Sequence, residues 1–437
     1  MLKAQKLTLA LLVNAALIST AYASEQSESK GFIEDAEGSV LFRTGYLTRD
    51  KKDGLNNDSS SFAQTAIVQL DSGFTKGIVG FGAGIIGDGS FKIGKNKHTN
   101  NQMIPVDSSG DAYDHWARGG GYVKARISNT TAKYGTQVSE LPVLASNTAR
   151  LTPEYYTGLY VESNEIENLT LIGGKFTKNQ WSNDISSDQQ GLDRAVFWGA
   201  KYKFNDQLNT SYYGVDVKDK LDRHYANVNY THGLKNDAAL TLDFTGYHTD
   251  WDEGAATDSA TTDDASNRQN SIWGVSANYN KDVHSVTLAY QDNAGNVGYD
   301  YAYNQDGLQS IYVPNSYLSD FNGNDEKSVG LMYNYSFKNH GLPGLSWTTA
   351  FVYGWDIDVA YDNNPAQIID QAEEHEFFNQ LKYTVQTGPL KDASLRLRYS
   401  YLRSSDTYNN ASGDYVSNAI GSTDELRIWL DIPVKLF

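Results

Sequence analysis

The chain has 437 residues, a formal net charge of −17 and no cysteine. A fold without cysteine does not rely on disulfides. Beyond the first two dozen residues no run approaches the ~18 apolar residues of a membrane-crossing helix, which excludes helical spans.

The first segment, MLKAQKLTLALLVNAALISTAYAS, carries Lys3 and Lys6, an apolar run from Leu7 to Ile18, and the small-residue triplet Ala21-Tyr22-Ala23. That order of charge, apolar core and small-x-small site marks a secretory signal peptide. Residues 1–23 are expected to be removed, leaving 24–437 as the folded unit.

From there on one unit recurs: an apolar/polar alternation, a turn, and another alternation. In chain order it is clearest at 40–49 (VLFRTGYLTR), 66–70, 121–129, 169–176, 195–204, 225–230, 239–247, 271–279, 284–290, 328–337, 346–354, 380–386, 394–402 and 425–434. Period two is the mark of a strand with two unlike faces. Short turns such as NKD (280–282) and TGPLKD (387–392) alternate with long polar loops such as 250–270 and 404–424. Strict alternation of short and long connections is the pattern of an up-and-down barrel whose two ends differ. At roughly 23 residues per strand and connection the mature chain makes ~18 strands. The fold class expected is therefore all-β: a transmembrane antiparallel up-and-down β-barrel in the bacterial outer membrane.

In a water-soluble sandwich the apolar face turns inward; in a transmembrane barrel it meets lipid and its alternates face the lumen. Tyr202, Tyr230, Tyr247, Tyr279, Tyr290, Tyr399 and Tyr401 stand near strand ends, as an interfacial girdle requires. The cations sort by parity. Arg43 and Arg49 oppose Phe42 and Tyr46; Lys124 and Arg126 oppose Val123, Ala125 and Ile127; Lys382 opposes Leu381 and Tyr383. Arg396 and Arg398 oppose Leu395, Leu397 and Tyr399, and Arg427 opposes Leu426 and Ile428. An arginine on the lipid face costs roughly 2–4 kcal/mol at the bilayer midplane, so these positions are luminal. Arg396 and Arg398 then project into the pore about 7 Å apart and, beside Arg427 and Lys382, make a ladder that draws anionic groups through a confined lumen. Ordinary luminal ion pairs in an unselective pore are the competing explanation.

Gly82-Ala-Gly84-Ile-Ile-Gly87 reads GxGxxG, but no helix pattern follows it, so it is assigned to a barrel strand and not to a dinucleotide site. The eight histidines show no metal-ligand spacing, the acid-rich stretch Asp250–Asp264 lacks the register of a calcium loop, and no GxSxG frames a serine. No enzyme activity, metal, cofactor or nucleic-acid partner is expected.

The segments 123–158, 319–328 (SDFNGNDEKS), 340–345 (HGLPGL), 381–398 and 425–437 (ELRIWLDIPVKLF) resemble the OprD, or Occ, family of outer-membrane substrate-specific channels, across essentially the whole mature chain. The resemblance implies a monomeric 18-stranded barrel in outer-membrane lipid, with a narrow eyelet, a basic ladder along one wall and an electronegative patch opposite. It places the ladder on Arg126, Lys382, Arg396, Arg398 and Arg427, with Arg43 and Arg49 as extensions. It makes residues 138–158 an inward-folded constriction loop and sets Arg150 and Asp320 at the eyelet. Gln309 stands where channels for basic amino acids carry an acid, with Asp306 nearby. Small carboxylate-bearing solutes, basic amino acids or small peptides first among them, are the implied substrates; a general or oligosaccharide-selective porin is the alternative.

Overall fold

The computed structural model describes residues 24–52, 57–95, 99, 101–255, 268–305, 310–361, 364–409 and 420–437. The leader 1–23, Asp306, Gln309 and most of the acid-rich stretch 250–264 lie outside these residues.

Eighteen strands form one sheet: β1 (Glu37–Lys51), β2 (Ser59–Asp71), β3 (Val79–Lys92), β4 (His115–Ile127), β5 (Thr130–Gln137), β8 (Tyr155–Ile166), β9 (Leu169–Gln180), β10 (Ala195–Lys203), β11 (Leu208–Val217), β12 (Leu221–Gly233), β13 (Ala238–Trp251), β14 (Gln269–Lys281), β15 (His284–Gly295), β16 (Lys327–Ser336), β17 (Leu345–Tyr361), β18 (Asn364–Thr384), β19 (Ser394–Ser404) and β20 (Thr423–Lys435). Two short strands, β6 (Glu140–Leu141) and β7 (Leu144–Ala145), form a separate hairpin. Each barrel strand pairs antiparallel with its neighbours, and β1 pairs with β20 as well as β2, so the sheet closes and leaves no edge.

The faces are inverted relative to a soluble protein. On β19, Leu395 is 51% exposed and Leu397 43%, whereas Arg398 is 5% exposed. With no water at mid-bilayer, only a closed sheet satisfies every backbone N–H and C=O, and its outer face must be apolar.

Four strands escape the alternation pattern, and each has a local reason. β3 contains GFGAGIIGDG, whose glycines give one face no side chain to read. On β3, Gly82 and Gly84 lie beneath the side chains of Lys124 and Tyr122, which reach across from β4 into the space a Cβ would need. β5 is short and polar, while β8 and β11 carry tyrosines on their buried faces. Two expectations need correcting. Connections do not alternate strictly in length, since residues 218–220 join β11 and β12 at the long-loop end. Tyr247 is no girdle residue: it is 3% exposed, and its hydroxyl donates to the Pro142 carbonyl.

The buried apolar residues lie inside the barrel, where three loops enter. The inward segment is 138–154 and not 138–158, because Tyr155–Gly158 already pair within the wall as the start of β8. Residues 138–154 contact Tyr247 on β13 and Arg43 on β1, eight strands away round the sheet, so this segment crosses the lumen. One core gathers Leu141, Val143 and Leu144 of that loop with Val297, Tyr299 and Ile311 of the β15–β16 loop, against Phe176, Phe197, Tyr213 and Tyr225 of the wall. A second core packs Met103 and Ile104 of the β3–β4 loop with Leu151 against Leu47, Trp116 and Trp429. Burying each large apolar side chain contributes about 2 kcal/mol, which holds the loops inside.

Candidate functional site

Strands β18, β19, β20 and β1 are consecutive round the wall and bring six predicted cations together. The register sets Lys382 opposite Arg396, Arg398 opposite Arg427, and Arg396 opposite Trp429. A cavity of about 160 Å³ is lined by Arg43, Lys382, Arg396, Arg398, Arg427, Trp429 and Asp431, with Thr148 and Ala149 of the inward loop closing one side.

The cations fall into two groups. Arg43 is bound to Asp431 at 2.7 Å and lies over Trp429, its guanidinium 5.4 Å from the ring centroid. Arg49 is bound to Glu425 at 2.8 Å, and Arg427 Nη2 donates to the same carboxylate at 2.9 Å. Lys382, Arg396 and Arg398 have no ion-pair partner among the described residues. Arg398 stacks over Phe378 at 4.9 Å, and its Nε and Nη2 are buried without a hydrogen-bond partner. An unpaired buried guanidinium is costly.

The other predicted cations stand elsewhere. Lys124 is bound to Asp71 at 2.7 Å, and Arg126 lies 3.6 Å from Glu25; both stand over Phe74, away from that cavity. Arg150 is 2% exposed and donates to Gln102 Oε1 at 2.7 Å, while its backbone carbonyl accepts from Arg43 Nη1 at 3.1 Å. Asp320 is buried and accepts hydrogen bonds from the Tyr301 and Ser316 hydroxyls.

Sequence reasoning overlooked the luminal acids. Glu376 accepts from the backbone N–H of Leu318 at 2.9 Å and of Ser319 at 3.0 Å, and Glu374 accepts from the Ser319 hydroxyl. Both share the parity of Lys382 along β18, so its luminal face changes sign from Glu374 and Glu376 to Lys382. Glu425 likewise shares the parity of Arg427 on β20. The parity rule that sorted the cations would have found them.

Residues 30–436 match the family model described as outer membrane porin, OprD family. The chain belongs to the OprD family of outer-membrane porins. It is 34% identical over 440 residues to Porin D of Pseudomonas aeruginosa, an alignment covering 96% of this chain and 95% of that one. The fold resembles the crystal structure of OccAB1 of Acinetobacter baumannii, with a TM-score of 0.88 and 61% identity over 95% of this chain and all of that one. It also resembles OprD of Pseudomonas aeruginosa, with a TM-score of 0.77 and 32% identity over 96% of this chain and all of that one. This porin therefore sits in the bacterial outer membrane, its lipid-facing strands forming a porin-type channel. Its long-loop end faces outward and its short turns face the periplasm.

Proposed function

We propose that the porin is a passive, substrate-selective channel for small carboxylate-bearing solutes, basic amino acids leading. It acts as a monomer from which residues 1–23 have been cleaved, and residues 138–154 narrow the passage. The observation that carries this reading is Arg398, which has unpartnered donors and lines a cavity together with Lys382 and Arg396. A solute carboxylate meets these three groups in turn, held weakly at each so that it can leave again. Arg43, Arg49 and Arg427 already hold Asp431 and Glu425, so they shape the potential more than they take ligand. Arg126 and Lys124 extend the basic path toward the periplasmic mouth. A cationic solute end is favoured by Asp320, with Glu374 and Glu376 on the outward half of β18. No chemical step takes part.

Swelling of proteoliposomes in arginine, glutamate, glucose and an oligosaccharide tests the reading. Arginine should enter faster than glucose. Arg396→Glu with Arg398→Glu should depress arginine entry and shift ion selectivity toward cations. Rates that follow solute size or sugar type and ignore these substitutions would instead assign a general or oligosaccharide-selective porin.

A further inference from the structure

Two of the three loops that enter the lumen meet at one carboxylate. Glu154 is fully buried. One carboxylate oxygen accepts from the Asn147 backbone N–H at 2.8 Å, within its own loop. The other accepts from Asn179 Nδ2 at 2.7 Å on β9 and from the Gln305 backbone N–H at 3.2 Å in the β15–β16 loop. One side chain thus joins the 138–154 loop, the barrel wall and the loop that carries Asp320. Alongside it, Tyr156 donates its hydroxyl to Asn304 Oδ1 at 2.6 Å, and Asn304 Nδ2 donates to the Ala145 carbonyl at 2.9 Å.

We propose that Glu154 is a positioning residue of the channel: it touches no solute, but by tying both inward loops to β9 it fixes the width and the charge placement of the passage between them. The chemistry of the three partners supports this. All are N–H groups, and a carboxyl group keeps acceptor capacity on both oxygens whether ionised or protonated, so one planar group satisfies three elements at once. An amide of the same shape offers one accepting end only, and its N–H₂ would face a donor. The β6–β7 hairpin stops at Ala145, short of Asn147, and the backbone N–H groups of Asn147 and Gln305 both bond to this acceptor. The inference rests on the reading that residues 138–154 narrow the passage.

The test compares wild type with Glu154→Gln, Asn179→Ala and a deletion of residues 146–151, all refolded into detergent and reconstituted. Folding is read from heat-modifiable migration, and function from single-channel conductance and the arginine-to-glucose swelling ratio. Glu154→Gln and Asn179→Ala should each keep the folded barrel, raise conductance and lose the arginine preference. The double variant should be no worse than either single one, because both break the same knot. If Glu154→Gln does not fold, Asn179→Ala decides alone, since it keeps the carboxylate and removes only the wall donor. Folded variants with unchanged conductance and an unchanged ratio overturn the role of Glu154, as does a loss of thermal stability that leaves the ratio intact. The deletion separates the two readings. If it widens the channel while Glu154→Gln does not, only the knot fails; if it leaves conductance unchanged, the constriction reading fails with it.

Discussion

Arg398 faces Arg427 directly across the β19–β20 ladder, yet of the two only Arg427 is hydrogen-bonded to a carboxylate. Like charges placed opposite on a sheet repel, and the donors left buried on Arg398 cost more still. The fold therefore holds a cation in a position that works against its own stability. Such strain is expected where a group is kept for function and not for folding.

Replacing Arg398 by Met should separate the two. Met keeps an unbranched apolar stem but removes the guanidinium that lies over Phe378, and with it the charge. The barrel should be as stable as wild type or more so, by about 1 kcal/mol in urea unfolding. Arginine and glutamate entry should fall together, with the zero-current potential moving toward cation selectivity. A variant that loses stability and keeps its permeation would show that Arg398 is a structural residue.

Glu425 is the opposite case. Its buried carboxylate holds both Arg49 and Arg427. Glu425→Gln leaves two guanidinium groups beside Arg398 without a counter-charge. Breaking a buried pair by removing one partner costs about 3–5 kcal/mol, so unfolding in urea should shift by that order. The surviving barrel should become more anion-selective. An unchanged unfolding midpoint would mean that lumen water screens the cluster and that the network is not a stabilising one.

Much of this was legible in the sequence, and the gaps have physical causes. Alternation on segments such as 394–402 is visible because one face must suit lipid and the other water. It fades in β3, where glycine replaces the side chains, and in β8 and β11, where the inner face is aromatic to receive the inward loops. Tyr247 shows the ambiguity well: a tyrosine near a strand end suits a lipid interface and an internal core equally, and only the loop packed upon it decides. That Lys382, Arg396, Arg398 and Arg427 share the inner face was readable from parity alone. Which of the predicted cations are neutralised was not, because Asp431 and Glu425 meet Arg43 and Arg49 across a closure that joins the two ends of the chain. The knot at Glu154 left no sequence signal, since its partners are two backbone N–H groups and an asparagine on separate elements.

The glycines of β3 and β4 allow a sharper test of wall geometry. Gly119 has φ +136°, and a Cβ there would lie 2.4 Å from Gly87 Cα and from the Ile86 carbonyl oxygen. Both obstacles are backbone and cannot swing aside. Gly121, two residues on and on the same face, would place a Cβ 3.4 Å from the nearest atom, the Gly84 carbonyl oxygen. Gly119→Ala should therefore destabilise the barrel by about 2 kcal/mol or more, while Gly121→Ala should change it by less than about 1 kcal/mol. Equal effects in urea unfolding would mean that the β3–β4 pair relaxes at little cost.

Glu154 also makes stability depend on pH, with a definite sign. It lies in the inward loop just before β8, and burial pushes its carboxyl up to about 8 against three N–H donors that pull the other way. The folded state thus binds this proton more tightly than the unfolded chain does. Its contribution to stability is fully present below the unfolded carboxyl range, declines as pH rises above ~4.5, and is gone once pH passes about 8. Glutamine at the same position does not titrate. The difference in urea-unfolding free energy between wild type and Glu154→Gln should therefore move against wild type between about pH 5 and about pH 9, while the other carboxyls contribute equally to both chains. A difference that stays flat across that interval would mean that water or a counter-charge reaches the site, and that Glu154 is ionised throughout as an ordinary surface acid would be.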